Sequence, residues 1–106
     1  EQQLMADALA AEAAGAFAVL LECIPAGIAQ RITAAVKVPT IGIGAGAGCD
    51  GQVLVTPDLL GLTSGYVPRF VKAYAALGQS VTAAVKCYRD EVRDGKFPGP
   101  EHSFKG

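Results

Sequence analysis

Residues 17–25 read FAVLLECIP, and this stretch decides the fold that the sequence predicts. The continuous apolar run Phe17–Leu21 is typical of a strand buried on both faces, as in parallel sheets. After a short turn, Pro25 is favoured as the first residue of a helix. Apolar residues then recur at helical spacing, at Ile28, Ile32, Ala35 and Val36. The stretch therefore predicts a strand followed by an amphipathic helix.

Two more strands are predicted on the carboxyl side, at Thr40–Ile43 and Gln52–Val55. On the amino side, Leu4–Ala14 is rich in strong helix formers, and Gly15 is a suitable residue to end that helix. This alternation indicates right-handed βαβ units. We therefore expect an α/β fold whose three strands are parallel neighbours in sequence order, with their carboxyl ends at one edge.

Further helices are predicted after the third strand. Thr56-Pro57-Asp58 would begin a short helix, and Pro68 would open another that runs to about Leu77. Ser80 would cap the last helix, which has Val81, Val85, Tyr88 and Val92 on one face. Three parallel strands still leave two unpaired edges and bare apolar faces. We therefore expect a partial structure that needs more chain or a partner to be stable.

Composition restricts the classes of partner. The 106 residues are 51% hydrophobic and 18% charged, with a net charge of −1, so the sequence favours a packed core over nucleic-acid or anionic-membrane binding. No apolar stretch is long enough for a membrane span. The three cysteines lie far apart without a CxxC pair, which argues against a disulfide framework or zinc site and favours a cytosolic protein.

Glu22 is the leading catalytic candidate because it stands directly after the predicted apolar strand. In parallel α/β folds, ligands bind and catalytic groups project at the carboxyl ends of the strands. We expect a carboxylate there to be partly buried, and partial loss of water makes it a better general base. From position alone, a solvated turn residue is an equally good interpretation.

The run GIGAGAG at residues 42–48 has two interpretations. Glycine lets backbone approach a ligand closely, and barrels often bind phosphate after the seventh strand. The run does not match the dinucleotide-binding or P-loop patterns. Tight packing and a sharp turn below an active site is therefore the favoured interpretation.

The other polar candidates are given structural roles. The aspartates Asp50, Asp58 and Asp90 are too dispersed for a metal cluster and are expected in turns or caps. Cys23 is expected to be a buried thiol, and His102 an incidental residue of an irregular tail. Arg69 and Lys72 are expected on the solvated face of a helix.

Five segments, in order, resemble the ketopantoate hydroxymethyltransferase (3-methyl-2-oxobutanoate hydroxymethyltransferase) family. They are LLECIP at 20–25, PTIGIGAG at 39–46, DGQVLV at 50–55 with Asp58 and Gly61, PRFVK at 68–72, and FPGPEHSF at 97–104. The resemblance implies a (β/α)₈ TIM barrel of the phosphoenolpyruvate/pyruvate superfamily. Residues 1–106 would form its carboxyl-terminal portion, about the last three βα units, without the amino-terminal half.

The resemblance also implies a reaction and its partners. A hydroxymethyl unit would pass from 5,10-methylenetetrahydrofolate to 3-methyl-2-oxobutanoate, giving 2-dehydropantoate for pantothenate biosynthesis, with Glu22 as proton acceptor. Mg²⁺ would hold the oxo acid, but its ligands are expected on the missing half. The family resemblance implies a homo-oligomer, the cysteine pattern predicts a cytoplasmic location, and the isolated chain is expected to be inactive.

Two alternatives remain open from the sequence. One is another Mg²⁺-dependent 2-oxo-acid lyase of the same superfamily, which would share the carboxylate at the strand end but differ in the tail. The other is a non-catalytic half-barrel whose apolar edge binds a partner half.

Overall fold

A parallel three-stranded sheet forms the centre of the chain, in a computed structural model that describes Glu1–Gly106. The strands are β1 (Val19–Glu22), β2 (Thr40–Ile43) and β3 (Gly51–Gln52), in the order β1-β2-β3. β2 pairs in parallel with both neighbours. The predicted α/β class and the predicted parallel order are therefore confirmed.

Four α-helices accompany the sheet. They are α1 (Gln2–Ala13), α2 (Ala26–Ala35), α3 (Thr56–Leu59) and α4 (Leu77–Arg93), and a 3₁₀ turn covers Pro100–His102. None of the helices combines the length and the apolar character that crossing a membrane requires. The chain divides into two compact units, a first unit of residues 1–55 with 68–71 and a second unit of residues 56–67 with 72–106.

The sheet of the first unit has one covered face and one open face. Leu21 belongs to the core that α1 and α2 form against the sheet, with Ala8, Ala29, Ile32, Val36 and Ala45. Its neighbour Leu20 is 55% exposed, because alternate residues of a strand point to opposite faces. The prediction that this strand is buried on both faces is therefore wrong within this chain, where Leu20 of β1 is left open to solvent.

The Glu12 carboxylate connects α1 to the end of α2. It accepts hydrogen bonds from the backbone N–H groups of Lys37 (2.5 Å) and Val38 (3.1 Å). At the end of α1 itself, Gly15 has φ +95°, the left-handed backbone expected of a residue that terminates a helix. The left-handed Gly15 lets the chain turn between α1 and β1, and the Glu12 hydrogen bonds hold the turn between α2 and β2.

The predicted strand boundaries need correction. Phe17 is 89% exposed and outside β1, whereas Glu22 is the last residue of β1 and not the first residue after it. The reason is that the N–H of Cys23 donates to the carbonyl of Ile43 at 2.9 Å, which carries the ladder past Glu22. β3 is shorter than predicted, since strand geometry ends at Gln52.

In the second unit, α3 confirms the predicted short helix, but the two later predictions are wrong. Residues 68–76 are not helical, because the N–H of Tyr74 donates to the carbonyl of Leu59 (2.8 Å) and not to a carbonyl four residues back. α4 begins at Leu77, without Ser80 as its cap. Carbonyls near the end of α3 accept the N–H groups of Leu77 (3.1 Å) and Gly78 (3.0 Å), so no side-chain cap is needed.

Replacing Gly46 with alanine should destabilise the protein that contains this chain. Gly46 has φ +76°, and an added Cβ would overlap the Cβ of Ala26 on α2. Left-handed backbone costs a non-glycine residue roughly 1–2 kcal/mol, and overpacking adds about 1–3 kcal/mol. Thermal unfolding should show a larger fall in melting temperature for Gly46→Ala than for the control Gly15→Ala, whose Cβ would enter open space. Equal falls would show that packing against α2 is unimportant.

Candidate functional site

A cavity of about 1000 Å³ in the first unit lies beside the carboxyl ends of β1 and β2. Its wall includes Cys23 directly after β1 and the glycines Gly44 and Gly46 after β2. Arg69 and Phe70 line it as well. The edge of the sheet where parallel α/β proteins bind ligands therefore opens into this cavity.

Glu22 stands at that edge but does not line the cavity. It pairs in register with Ile43 and lies two residues from Leu20, so it shares the open face of the sheet. Glu22 is exposed, so the predicted partial burial is wrong for this chain. The chain has no cluster of three or more His, Cys, Asp or Glu side chains that could hold a metal ion.

Cys23 adopts an unusual backbone conformation. Its φ is +54°, in the left-handed region that non-glycine residues rarely occupy, and its side chain is exposed. The predicted buried thiol is therefore wrong. Such a conformation costs roughly 1–3 kcal/mol and is found preferentially at active sites and ligand contacts. This strained residue follows Glu22 directly and lines the cavity.

The glycine run is packed tightly, which supports the favoured interpretation of it. At Gly44, with φ +63°, an added Cβ would lie 2.7 Å from Cδ1 of Phe70. At Gly48, the added atom would lie 3.0 Å from Cβ of Gln30 on α2. The amide of Gln52 also donates to the carbonyl of Gly46 at 2.9 Å. These glycines therefore let the loop fit between α2 and Phe70.

Asp50 has a structural role, as its position in an Asp-Gly turn predicts. Its Oδ2 accepts from the backbone N–H (2.8 Å) and the hydroxyl (3.1 Å) of Thr40, which is fully buried. The N–H of Asp50 donates to the same hydroxyl oxygen at 3.2 Å. The hydroxyl of Thr33 on α2 lies 2.8 Å from that of Thr40. This network joins α2, the start of β2 and the residue before β3.

His102 belongs to the second unit, where it packs on Phe97 with ring centroids 5.2 Å apart. Phe97 in turn packs edge-on against Tyr88 of α4 at 5.4 Å. The N–H of Gly99 donates to Nδ1 of His102 at 3.1 Å. The Oε1 atom of Glu101 lies 3.5 Å from the same nitrogen. His102 is therefore a structural residue of the tail.

Arg69 is the residue that sequence reasoning placed incorrectly. It lies outside any helix, on the wall of the cavity, and its side chain has no ion pair or hydrogen bond within the chain. The local sequence gives no signal for this position, because the course of residues 68–71 depends on the packing of Phe70 against Gly44.

Replacing Asp50 with alanine should lower stability. The substitution leaves the buried N–H of Thr40 without its acceptor, and an unsatisfied buried polar group costs about 1–3 kcal/mol. Chemical denaturation should show a clear loss for Asp50→Ala. The control Asp7→Ala removes an exposed carboxylate from α1 and should change stability by less than about 0.5 kcal/mol. Similar small changes in both variants would contradict the role given to Asp50.

The reactivity of Cys87 in the second unit can be predicted from its neighbours. The negative charge of Glu91, whose carboxylate also accepts the thiol hydrogen bond at 3.6 Å, raises the pKa of Cys87 above its usual value. Less thiolate is then present at pH 8, and alkylation is slow. In Glu91→Gln the pKa should fall, so the Cys87 peptide should react severalfold faster with iodoacetamide, as followed by mass spectrometry. The control Asp94→Asn, one turn further on, should react like the parent protein, and an unchanged rate in Glu91→Gln would refute this account.

A parallel sheet with a carboxylate at a strand end beside a cavity is typical of α/β proteins that bind ligands at this edge. The family model described as ketopantoate hydroxymethyltransferase matches residues 1–100. The chain belongs to the ketopantoate hydroxymethyltransferase family.

Curated relatives agree with this assignment, and three of them bear the name 3-methyl-2-oxobutanoate hydroxymethyltransferase. The protein of Moorella thermoacetica is 62% identical over 104 residues, 98% of this chain and 39% of the relative. That of Heliobacterium modesticaldum is 60% identical over 103 residues, 97% of this chain and 37% of the relative. That of Enterococcus faecalis is 55% identical over 104 residues, 98% of this chain and 38% of the relative. The chain thus spans about two fifths of the length of these relatives.

Proposed function

We propose that this chain is the carboxyl-terminal portion of an enzyme that makes 2-dehydropantoate for pantothenate biosynthesis. In the reaction, 5,10-methylenetetrahydrofolate, 3-methyl-2-oxobutanoate and water give tetrahydrofolate and 2-dehydropantoate. The observation that carries the proposal is 55–62% identity, across nearly the whole chain, to three relatives named for this activity. The same identity favours this transferase over a 2-oxo-acid lyase of the same superfamily.

The three strands would be part of a (β/α)₈ barrel, as its last three βα units. Two features of the sheet support this. β1 and β3 each have one unpaired edge, and closing a barrel pairs such edges. Leu20 and Glu22 point away from the face that α1 and α2 cover, so in a barrel they would face the interior. The rest of the enzyme would then cover the open face, and the whole would assemble as a homo-oligomer like the family.

Glu22 would act as the base of the reaction. Its carboxylate would take the proton from C3 of the oxo acid, and the electrons of that bond would move to the C2 oxygen as an enolate. Water adds to the one-carbon unit and its carbon–nitrogen bonds to the folate break, which gives tetrahydrofolate and a bound formaldehyde. C3 of the enolate then forms the new carbon–carbon bond to the formaldehyde carbon, and the formaldehyde oxygen takes up a proton to become the hydroxyl. When bound, Mg²⁺ would stabilise the enolate, and its ligands would come from outside residues 1–106, since this chain has no suitable cluster.

The position of Glu22 on β1 supports its proposed role as the base. It is the last residue of β1, and the strained Cys23 turns the chain away directly after it. Strand pairing fixes the backbone of Glu22 and so limits the directions in which its carboxylate can point. A general base must point at the carbon-bound proton that it removes. Cover of the open face by the rest of a barrel would remove Glu22 partly from water and strengthen it as a base.

In the full-length enzyme, Glu22→Gln should slow the exchange of the C3 proton of 3-methyl-2-oxobutanoate for deuterium by roughly 10²–10⁴-fold, the usual contribution of a general base. Glutamine keeps the shape and hydrogen bonding of the side chain but cannot accept the proton. Exchange would be followed by NMR without folate, and binding of the oxo acid should change much less.

The matched control for this experiment is Glu91→Gln, which changes an exposed glutamate on α4 in the second unit. It should exchange C3 at the rate of the parent enzyme. Near-normal exchange in Glu22→Gln would remove Glu22 from the role of base and leave it a structural residue at the end of β1.

A further inference from the structure

The charge of the cavity is unbalanced. Only two charged side chains line it, Asp50 and Arg69. Asp50 is engaged with Thr40 through both the backbone N–H and the hydroxyl. Arg69 has no partner within the chain and is exposed on the cavity wall. A guanidinium group is suited to bind a carboxylate through two parallel hydrogen bonds. The free charge of the cavity therefore favours an anionic ligand.

The cavity also has an aromatic wall next to this charge. Phe70 follows Arg69 directly, is 38% exposed, and has one side of its ring held against the backbone of Gly44. Such a fixed ring offers its exposed surface to an aromatic ligand with little loss of side-chain freedom. A planar aromatic group joined to a carboxylate would match Phe70 and Arg69 together.

The cavity has room for a ligand larger than the oxo acid. The cavity, at about 1000 Å³, is at the upper end of the range for ligand sites, roughly 300–1,000 Å³. In the proposed function the oxo acid lies at Glu22, which does not line the cavity. Cys23 joins the two places, because it follows Glu22 and lines the cavity. A long co-substrate could therefore react at Glu22 while its other end lies in the cavity.

We propose that the cavity binds the p-aminobenzoyl-glutamate end of the folate co-substrate, with Arg69 pairing with a glutamate carboxylate and Phe70 contacting the benzoyl ring. This assignment rests on the proposed function. The pterin end, which carries the one-carbon unit, is then directed over the carboxyl end of β1. Arg69 is accordingly a co-substrate-binding residue and takes no part in proton removal.

The test uses the full-length enzyme and two co-substrates, 5,10-methylenetetrahydrofolate and the pteroate analogue that lacks the glutamate. Arg69→Ala should raise KM for the folate by about 10–100-fold, the usual value of a charged hydrogen-bonded pair. It should leave KM for the pteroate analogue, KM for the oxo acid and folate-independent C3 exchange unchanged. Arg69→Lys keeps the charge but not the planar guanidinium, so its KM for the folate should lie between those of the parent enzyme and Arg69→Ala.

Lys72→Ala is the matched control, because Lys72 is a cation three residues after Arg69 in the sequence, lies over the ring of Tyr74 and does not line the cavity. It should leave KM for the folate unchanged. An equal rise of KM for folate and pteroate in Arg69→Ala, a rise for the oxo acid, or no rise at all would overturn the assignment of Arg69. If the parent enzyme showed neither exchange of the C3 proton nor turnover, the proposed function would be overturned, and the assignment of Arg69 with it.

Discussion

The hydrogen bonds between Asp50 and Thr40 are the interaction on which the rest of the first unit depends. β3 pairs with β2 over only two residues, and so short a ladder fixes its register weakly. Asp50 fixes the position of β3 more firmly than the short ladder does, because directly before β3 it accepts hydrogen bonds from both the N–H and the hydroxyl of the buried Thr40. Thr33 extends this network to α2. The position of β3, and the path of the loop that precedes it, follow from these bonds.

With its two ends fixed, the glycine run has little freedom. It must leave β2 at Ile43 and reach Asp50 across the surface of α2, where Gly46 and Gly48 have no room for side chains. The same course brings Gly44 against Phe70, which holds residues 68–71 in the first unit and places Arg69 on the cavity wall. The cavity is thus a consequence of close backbone packing, and its single free charge comes from a segment distant in sequence.

The sequence predicted what depends on local pattern and could not predict what depends on distant contacts. The parallel strand order follows from the alternation of apolar runs and helical periodicity, and it is confirmed. The start of α4 could not be read, since its first N–H groups bind carbonyls near the end of α3 in place of a capping side chain. Arg69 was misplaced for the same reason, because a helix was predicted where tertiary hydrogen bonds prevail. The exposure of Glu22 reflects the open face of the sheet, which a local pattern cannot reveal.

The two faces of the sheet keep the base proposed at Glu22 apart from the cavity proposed for the co-substrate. Leu20 and Glu22 occupy the open face. The cavity lies toward the covered face, because Ala26 at the start of α2 lines it. Gln52 lines it as well, and its amide lies beside Gly42, which pairs in register with the core residue Leu21. The faces meet at Cys23, where the left-handed turn ends the strand. Under the two proposals, the oxo acid at Glu22 and the co-substrate in the cavity would lie on different faces of β1. Such an arrangement separates the groups that bind the co-substrate tail from the base that removes the proton, so each can be changed without the other.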